Sequence, residues 1–223
     1  MQFLVIKHPN SDIENKINSK LLSLNKFTEA KPYSAIIKDI NFELENACLN
    51  NSLYEYETIF RYESIYIKNN ILGILRRVGR FQDVQFYFKP ININLKTGEE
   101  ITSDKIFKMK KKQALIKLCN SRVQNTINKL VISAKENRYS DDSEYVESVL
   151  EIFDKNKEYK FELEDINNFV ITEKENTLDG IEFVYSLNFP WAIKAYEPDF
   201  DLFFTFKELQ PFLKKDFKKI IGN

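Results

Sequence analysis

Two adjacent asparagines, Asn69 and Asn70, separate YEYETIFRYESIYI (54–67) from ILGILRRV (71–78), and this junction constrains the fold more than any other feature. Both flanking runs are rich in aromatic and β-branched side chains, which suit a pleated backbone, and asparagine tolerates the left-handed dihedrals of a tight turn. A third run, FQDVQFYFKPININL (81–95), follows closely. Strands joined by such short connections leave no room for a crossover helix, so they must pair antiparallel as a meander. Pro90 has no N–H to donate and belongs at a bulge or an edge. Lys96-Thr97-Gly98-Glu99 then has turn composition.

Helical patterns flank the meander. Phe3–Ile6 reads as an opening strand. Ser11 with Glu14 predicts a capping box, and Ile13, Ile17, Leu21 and Leu24 form one apolar face of a helix over 12–24. Residues 36–48 are ambiguous, with helix slightly favoured. Ser103 is placed to cap a short helix through Phe107. The stretch 108–136 lacks Gly and Pro, and Leu115, Leu118, Val123, Ile127 and Leu130 share a broad face. The acidic run DDSEYVESVLEIFD (141–154) also reads as helix. Within 169–189, FVIT and IEFVYS predict a hairpin around Asp179-Gly180, followed by a strand, DLFFTF (201–206), and a lysine-rich helix, ELQPFLKKDFKKII. The order predicts an α+β protein: an antiparallel sheet (meander plus C-terminal hairpin) with helices packed on it.

Charge and rare residues narrow the chemistry. The 33 basic and 33 acidic side chains cancel, which argues against a nucleic-acid partner. The basic run KMKKKQ and the acidic run at 141–154 are short, and read as solvated helix faces. No stretch of about 18 apolar residues predicts a membrane span. The opening MQFLVIKHPNSD is too short for a signal-peptide core, leaving a periplasmic or extracellular location if a signal has been removed, and a cytoplasmic one otherwise. One histidine, two cysteines and five glycines give no zinc pattern and no phosphate-cradling loop, so neither metal nor cofactor is expected. His8, before Pro9, reads as a strand-end or loop residue. Cys48 and Cys119 sit beside apolar residues and are expected as free, buried thiols. Glu99 with Glu100, or Asp199 with Asp201, could serve glycoside hydrolysis, but acids at turns are usually solvated, so no catalytic residue is assigned. The segment FPWAIKAYEPDF (189–200) has two readings: a lid over the core, or a recognition surface made by Phe189, Trp191, Lys194, Tyr196, Glu197 and Asp199.

Three ordered segments resemble a known family. FLVIKHPNSDIENKINSKL has a short strand, a loop and a helix with Ile-Asn near its middle. ININLKTGEEITSDKIF (91–107) has a strand, an LKTG turn with a following acid, and a short helix ending in Phe. NNFVITEKENTLDGIEFVYS, with FDLFFTFKELQPFL, has a final hairpin, then a strand and an E-L-x-x-F-L element. Together they resemble the extracytoplasmic domain shared by RsiV-type anti-sigma factors and PdaC-type peptidoglycan deacetylases of bacteria. RVGRFQDV stands where that family often has a Gly-Gly-Ala-His-type segment, and FPWAIKAYEPDF where it has a Tyr- and Gly-rich loop. The resemblance implies a single domain over 1–223, or two closely packed halves, 1–95 and 96–223. It also implies a non-enzymatic binding module that recognises, and as an inhibitor or immunity protein blocks, a lysozyme-like muramidase or related toxin. A peptidoglycan-binding accessory domain and an anti-sigma-type sensor are the alternatives.

Overall fold

The computed structural model describes residues 4–23, 38, 59–79, 87–136, 143–154, 159–175, 178–187, 189 and 197–222. The chain divides into two compact units, Met1–Ile101 and Thr102–Asn223. Both sheets are antiparallel and both units carry helices, so the fold is α+β.

The first unit holds the meander. Strands β1 (Ile59–Lys68), β2 (Ile71–Gly79), β3 (Tyr87–Asn94) and β4 (Glu99–Glu100) lie in the order β1-β2-β3-β4. Asn69 and Asn70 take φ of 51° and 61°, the paired left-handed dihedrals that match a two-residue turn to the twist of its strands. Cross-strand pairs Leu72–Ile93 and Ile74–Ile91 form an apolar row. Against it pack Ile17 and Leu21 of helix α1 (Ser11–Ser23). Pro90 faces Leu75 of β2, while β4 pairs only with Ile93 and Asn94. Proline therefore occupies a stretch of β3 that β4 does not reach, the edge environment it requires. Gly98 has φ of 69°, and a Cβ there would sit 2.9 Å from Cβ of Lys16. The LKTG turn thus needs glycine twice, for its dihedrals and for its approach to α1.

Three local expectations change in this unit. Residues 4–6 form no strand. Instead the Asn18 side chain stands in for a partner strand: the Ile6 N–H donates to Oδ1 at 2.8 Å, and Nδ2 donates to the Ile6 carbonyl at 2.9 Å. The helix is capped by Asn10, not Ser11, because Asn10 Oδ1 accepts from the N–H groups of Asp12 and Ile13 at 2.9 and 3.1 Å. Glu14 closes no box on Ser11. Its carboxylate takes the His8 N–H at 2.8 Å and Lys7 Nζ at 3.3 Å. Cys48 and nearly all of 36–48 lie outside the described residues.

The second unit contains helices α2 (Ser103–Ile106), α3 (Lys112–Glu136) and α4 (Ser143–Asp154), a sheet of β5 (Phe169–Lys174), β6 (Leu178–Phe183) and β7 (Phe203–Thr205), and helices α5 (Phe206–Leu209) and α6 (Lys215–Ile221). Phe169, Ile171, Ile181, Phe183 and Phe204 alternate onto one buried face of the sheet β5-β6-β7. The Phe183 ring lies 5.4 to 6.4 Å from those of Phe107, Phe161, Phe169 and Phe204. On α3 the fully buried stripe is Leu115, Cys119, Val123 and Ile127, with Leu118 and Leu130 half-buried at its flanks.

Here too the chain departs from its local signals. The Ser103 hydroxyl caps nothing and donates to Oδ1 of Asn167. Asp179 and Gly180 are not a turn; they lie inside β6, and the reversal falls after Lys174, where Glu175 has φ of 59°. A Cβ on Gly180 would meet the Phe203 ring at 2.6 Å, so the missing side chain serves packing. The closing helix is two helices: Pro211 follows Gln210, the C-cap of α5. Thr205 and Glu208 form the capping box that α5 uses, with both reciprocal bonds present.

Candidate functional site

The segment 189–200 leaves and rejoins the described chain at a tied stem. Phe189 is 2% exposed, with its ring 6.0 Å from that of Phe153 on α4. Glu197 reaches back across the stem: Oε1 accepts from the Ser186 hydroxyl at 2.5 Å and Oε2 from the Phe189 N–H at 3.4 Å. Beneath it, Asn168 Nδ2 donates to the Val184 carbonyl at 2.8 Å. Of the residues chosen from the sequence, Phe189 is therefore an internal anchor with no surface to offer. Glu197 is half-buried and holds the stem, and Asp199 is exposed. Trp191, Lys194 and Tyr196 lie outside the described residues.

An aromatic layer surrounds the stem. Tyr159 lies 5.4 Å from Phe153, Tyr185 5.7 Å from Phe161, and Phe200 5.1 Å from Tyr185. Tyr159, Tyr185 and Phe200 are half-buried. Burial pushes the Tyr185 phenol up to about 12, and the carboxylates of Asp165, Glu162 and Glu197 add to the effect. Burial also raises Asp165, against the pull of the Glu162 N–H that donates to it at 2.7 Å. Tyr159 and Tyr185 therefore stay neutral at ordinary pH and offer ring faces beside carboxylate acceptors, a combination suited to recognition. Sequence reasoning missed both tyrosines. The signal was the aromatic spacing Tyr185–Phe189 before the segment and Phe200 at its end.

One of the two carboxylate pairs considered for hydrolysis does not converge. Glu99 and Glu100 are consecutive on β4, so their side chains point to opposite faces, and Glu100 pairs with Lys20 at 2.9 Å. Asp201 is hydrogen-bonded to Lys174, which holds its carboxyl below the usual range. Cys119 is a free thiol with no exposure, pushed up to about 12 by burial. His8 lies in a loop, where its Nδ1 accepts from the Asn10 N–H at 3.0 Å. Among the described residues no group of three or more His, Cys, Asp or Glu could hold a metal, and no helix is long and apolar enough to cross a membrane.

The edge strand β7 is closed by side chains. Arg122 of α3 donates to the Phe203 carbonyl, Asp201 Oδ1 accepts from the Phe203 N–H at 3.4 Å, and Glu208 accepts from the Thr205 N–H at 2.8 Å. Those outward groups are taken, so β7 is a poor template for an added strand.

No family model matches the chain, and no curated protein matches it. Among solved structures, the chain is similar to a crystal structure from Bacteroides fragilis NCTC 9343 described as a member of the DUF3298 family. The match has a TM-score of 0.53 and 14% identity, covering 96% of this chain and 83% of that one. At that identity the likeness shows a shared fold.

Proposed function

We propose that this protein is a non-enzymatic binding module of the RsiV/PdaC type that recognises, and blocks, a lysozyme-like cell-wall hydrolase. The observation that carries the reading is the fold likeness across 96% of the chain to a DUF3298 member, a family related to PdaC/RsiV-type domains. The three resembling segments support it through the residues they share. Asn18, Gly98, and the Glu208-Leu209 pair with Leu213 each hold a specific part of the architecture. The contact surface is the 189–200 segment on its tied stem, with Trp191 and Tyr196 as its anchors and with Tyr159, Tyr185 and Phe200 of the aromatic layer at the stem contributing ring faces. A stem fixed by Phe189 and Glu197 lowers the ordering cost of binding.

The test is retention of lysozyme on immobilised protein, with purified peptidoglycan as the competing ligand. Lysozyme should be held and peptidoglycan should pass. Trp191→Ala or Tyr196→Ala should weaken lysozyme binding by about thirtyfold, the loss typical of a truncated anchor, with an unchanged thermal midpoint. A lowered midpoint with unaltered affinity would make the segment a lid over the core. Retention of peptidoglycan alone would replace the hydrolase with a glycan as ligand.

A further inference from the structure

The two lysine-rich runs that are far apart in sequence meet in the second unit. Phe107 and Leu213 form an antiparallel bridge, flanked by bonds from the Lys108 N–H to the Phe212 carbonyl (2.9 Å) and from the Lys214 N–H to the Ile106 carbonyl (2.8 Å). Side chains cross the same seam. Lys108 Nζ donates to the Pro211 carbonyl at 3.1 Å, and the Lys214 ammonium donates to the Asp104 carbonyl. Lys112 sits 2.8 Å from the Asp104 carboxylate and, with Lys214 behind it, holds that group below its ordinary range. Residues 104–112 carry five lysines against one carboxylate, and residues 207–219 carry five against two. Ten lysines against three acids leave an excess of seven positive charges here, in a chain whose total is zero. Each run alone is an ordinary solvated face; the bridge makes them one surface.

We propose that this surface docks onto an anionic lipid bilayer. Met109, on the 3-10 turn Met109–Lys111, is 65% exposed between Lys108 and Lys110, and Ile220 is 37% exposed beside Lys219. Exposed apolar side chains flanked in sequence by lysines suit the headgroup boundary, where the charges meet lipid phosphates and the apolar tips enter the acyl edge. The patch is less suited to nucleic acid. Neither run contains arginine, which would supply a fork for bases or phosphates, and of their rings Phe107 and Phe217 are buried and Phe212 is half-buried, so none stands exposed as a stacking platform. Peripheral docking of this kind needs no spanning helix.

The test is flotation of the full chain with vesicles of phosphatidylcholine, with and without phosphatidylglycerol. The protein should float with phosphatidylglycerol vesicles at low salt, stay behind with pure phosphatidylcholine, and be released by high salt. The double variant Lys110→Gln/Lys111→Gln should bind about thirtyfold more weakly, because each lysine near an anionic surface contributes roughly fivefold. Met109→Gln should weaken binding by about a few-fold more. All three side chains are exposed, so the thermal midpoint should hold, and Lys110→Arg/Lys111→Arg should keep binding. Equal flotation with both vesicle types would overturn the proposal. So would indifference to the double glutamine variant, or tighter binding to a single-stranded oligonucleotide than to vesicles.

Discussion

The two units solve one local problem with the same device and different backing. In each, an asparagine on a helix offers its amide to a single extended residue, one acceptor and one donor, as a neighbouring strand would. Asn18 of α1 holds Ile6 at 2.8 and 2.9 Å; Asn120 of α3 holds Phe161 at 2.8 and 2.9 Å. Phe161 is also fixed by its ring, 1% exposed and packed 5.4 Å from Phe183. Ile6 is only half-buried, in a segment without strand structure, whose further ties to α1 include the His8 N–H and the Lys7 ammonium, both on Glu14. The same pair of bonds is therefore an attachment in the first unit and an alignment in the second.

Removing the two amides separates these roles. Asn18→Ala should carry the largest cost, about 2–3 kcal/mol, since Asn18 is 3% exposed and two backbone groups lose their partners where water enters poorly. Amide exchange should rise at Ile6 and His8, and chemical denaturation should report the loss. Asn120→Ala should cost less, about 1 kcal/mol, because the Phe161 ring stays seated without the amide and removal of the half-buried Asn120 side chain opens a path for water to groups that are otherwise covered. Faster exchange at Phe161, with the ring contacts to Phe183 unchanged, is the expected signature. Equal costs at the two sites would break the distinction.

The sequence displays such devices unevenly. The Asn69-Asn70 turn was legible because a two-residue hairpin leaves the backbone few alternatives, and the Lys96–Glu99 turn for a similar reason. The stripe on α1 was legible from spacing alone. Competition between good local signals was not. Asn10 and Ser11 both suit an N-cap, and the choice depends on Glu14 being drawn away by the His8 N–H. Asp179-Gly180 suits a turn as well as a strand, and the Phe203 ring over Gly180 decides for the strand. The strand expected at Phe3–Ile6 has the right side chains, but a partner supplied by a helical amide has no pattern in sequence. The Thr205-x-x-Glu208 capping box went unread, because Thr205 closes a run, DLFFTF, that has the composition of a strand. At the candidate site, aromatic content pointed to the 189–200 segment. Only the fold distinguishes Phe189, an anchor turned inward, from Tyr185, half-buried beside the stem.

Acid should act on the two clamps with opposite sign, the smallest of these effects. Glu14 has its pKa lowered from the ordinary 4.5, first by the His8 N–H it accepts, so its stabilisation is fully present above 4.5 and is lost as pH falls through the lower folded value. Asp165, near Asn120's partner, has its pKa raised from 3.8 by burial. Its protonated form is favoured by folding, so the relative stabilisation is complete below 3.8 and is lost as pH rises through the folded value. Acidification through the carboxylate range should therefore speed amide exchange at His8 while removing a strain near Glu162. Glu14→Gln should weaken the first clamp at neutral pH and flatten its response to acid. Asp165→Asn keeps an acceptor for the Glu162 N–H and removes the buried charge, so it should stabilise the second unit at neutral pH and lose that advantage as the wild-type carboxyl protonates. If both variants destabilise equally at neutral pH, Asp165 is held by its hydrogen bond more than it is penalised by burial, and the two clamps share one electrostatic logic.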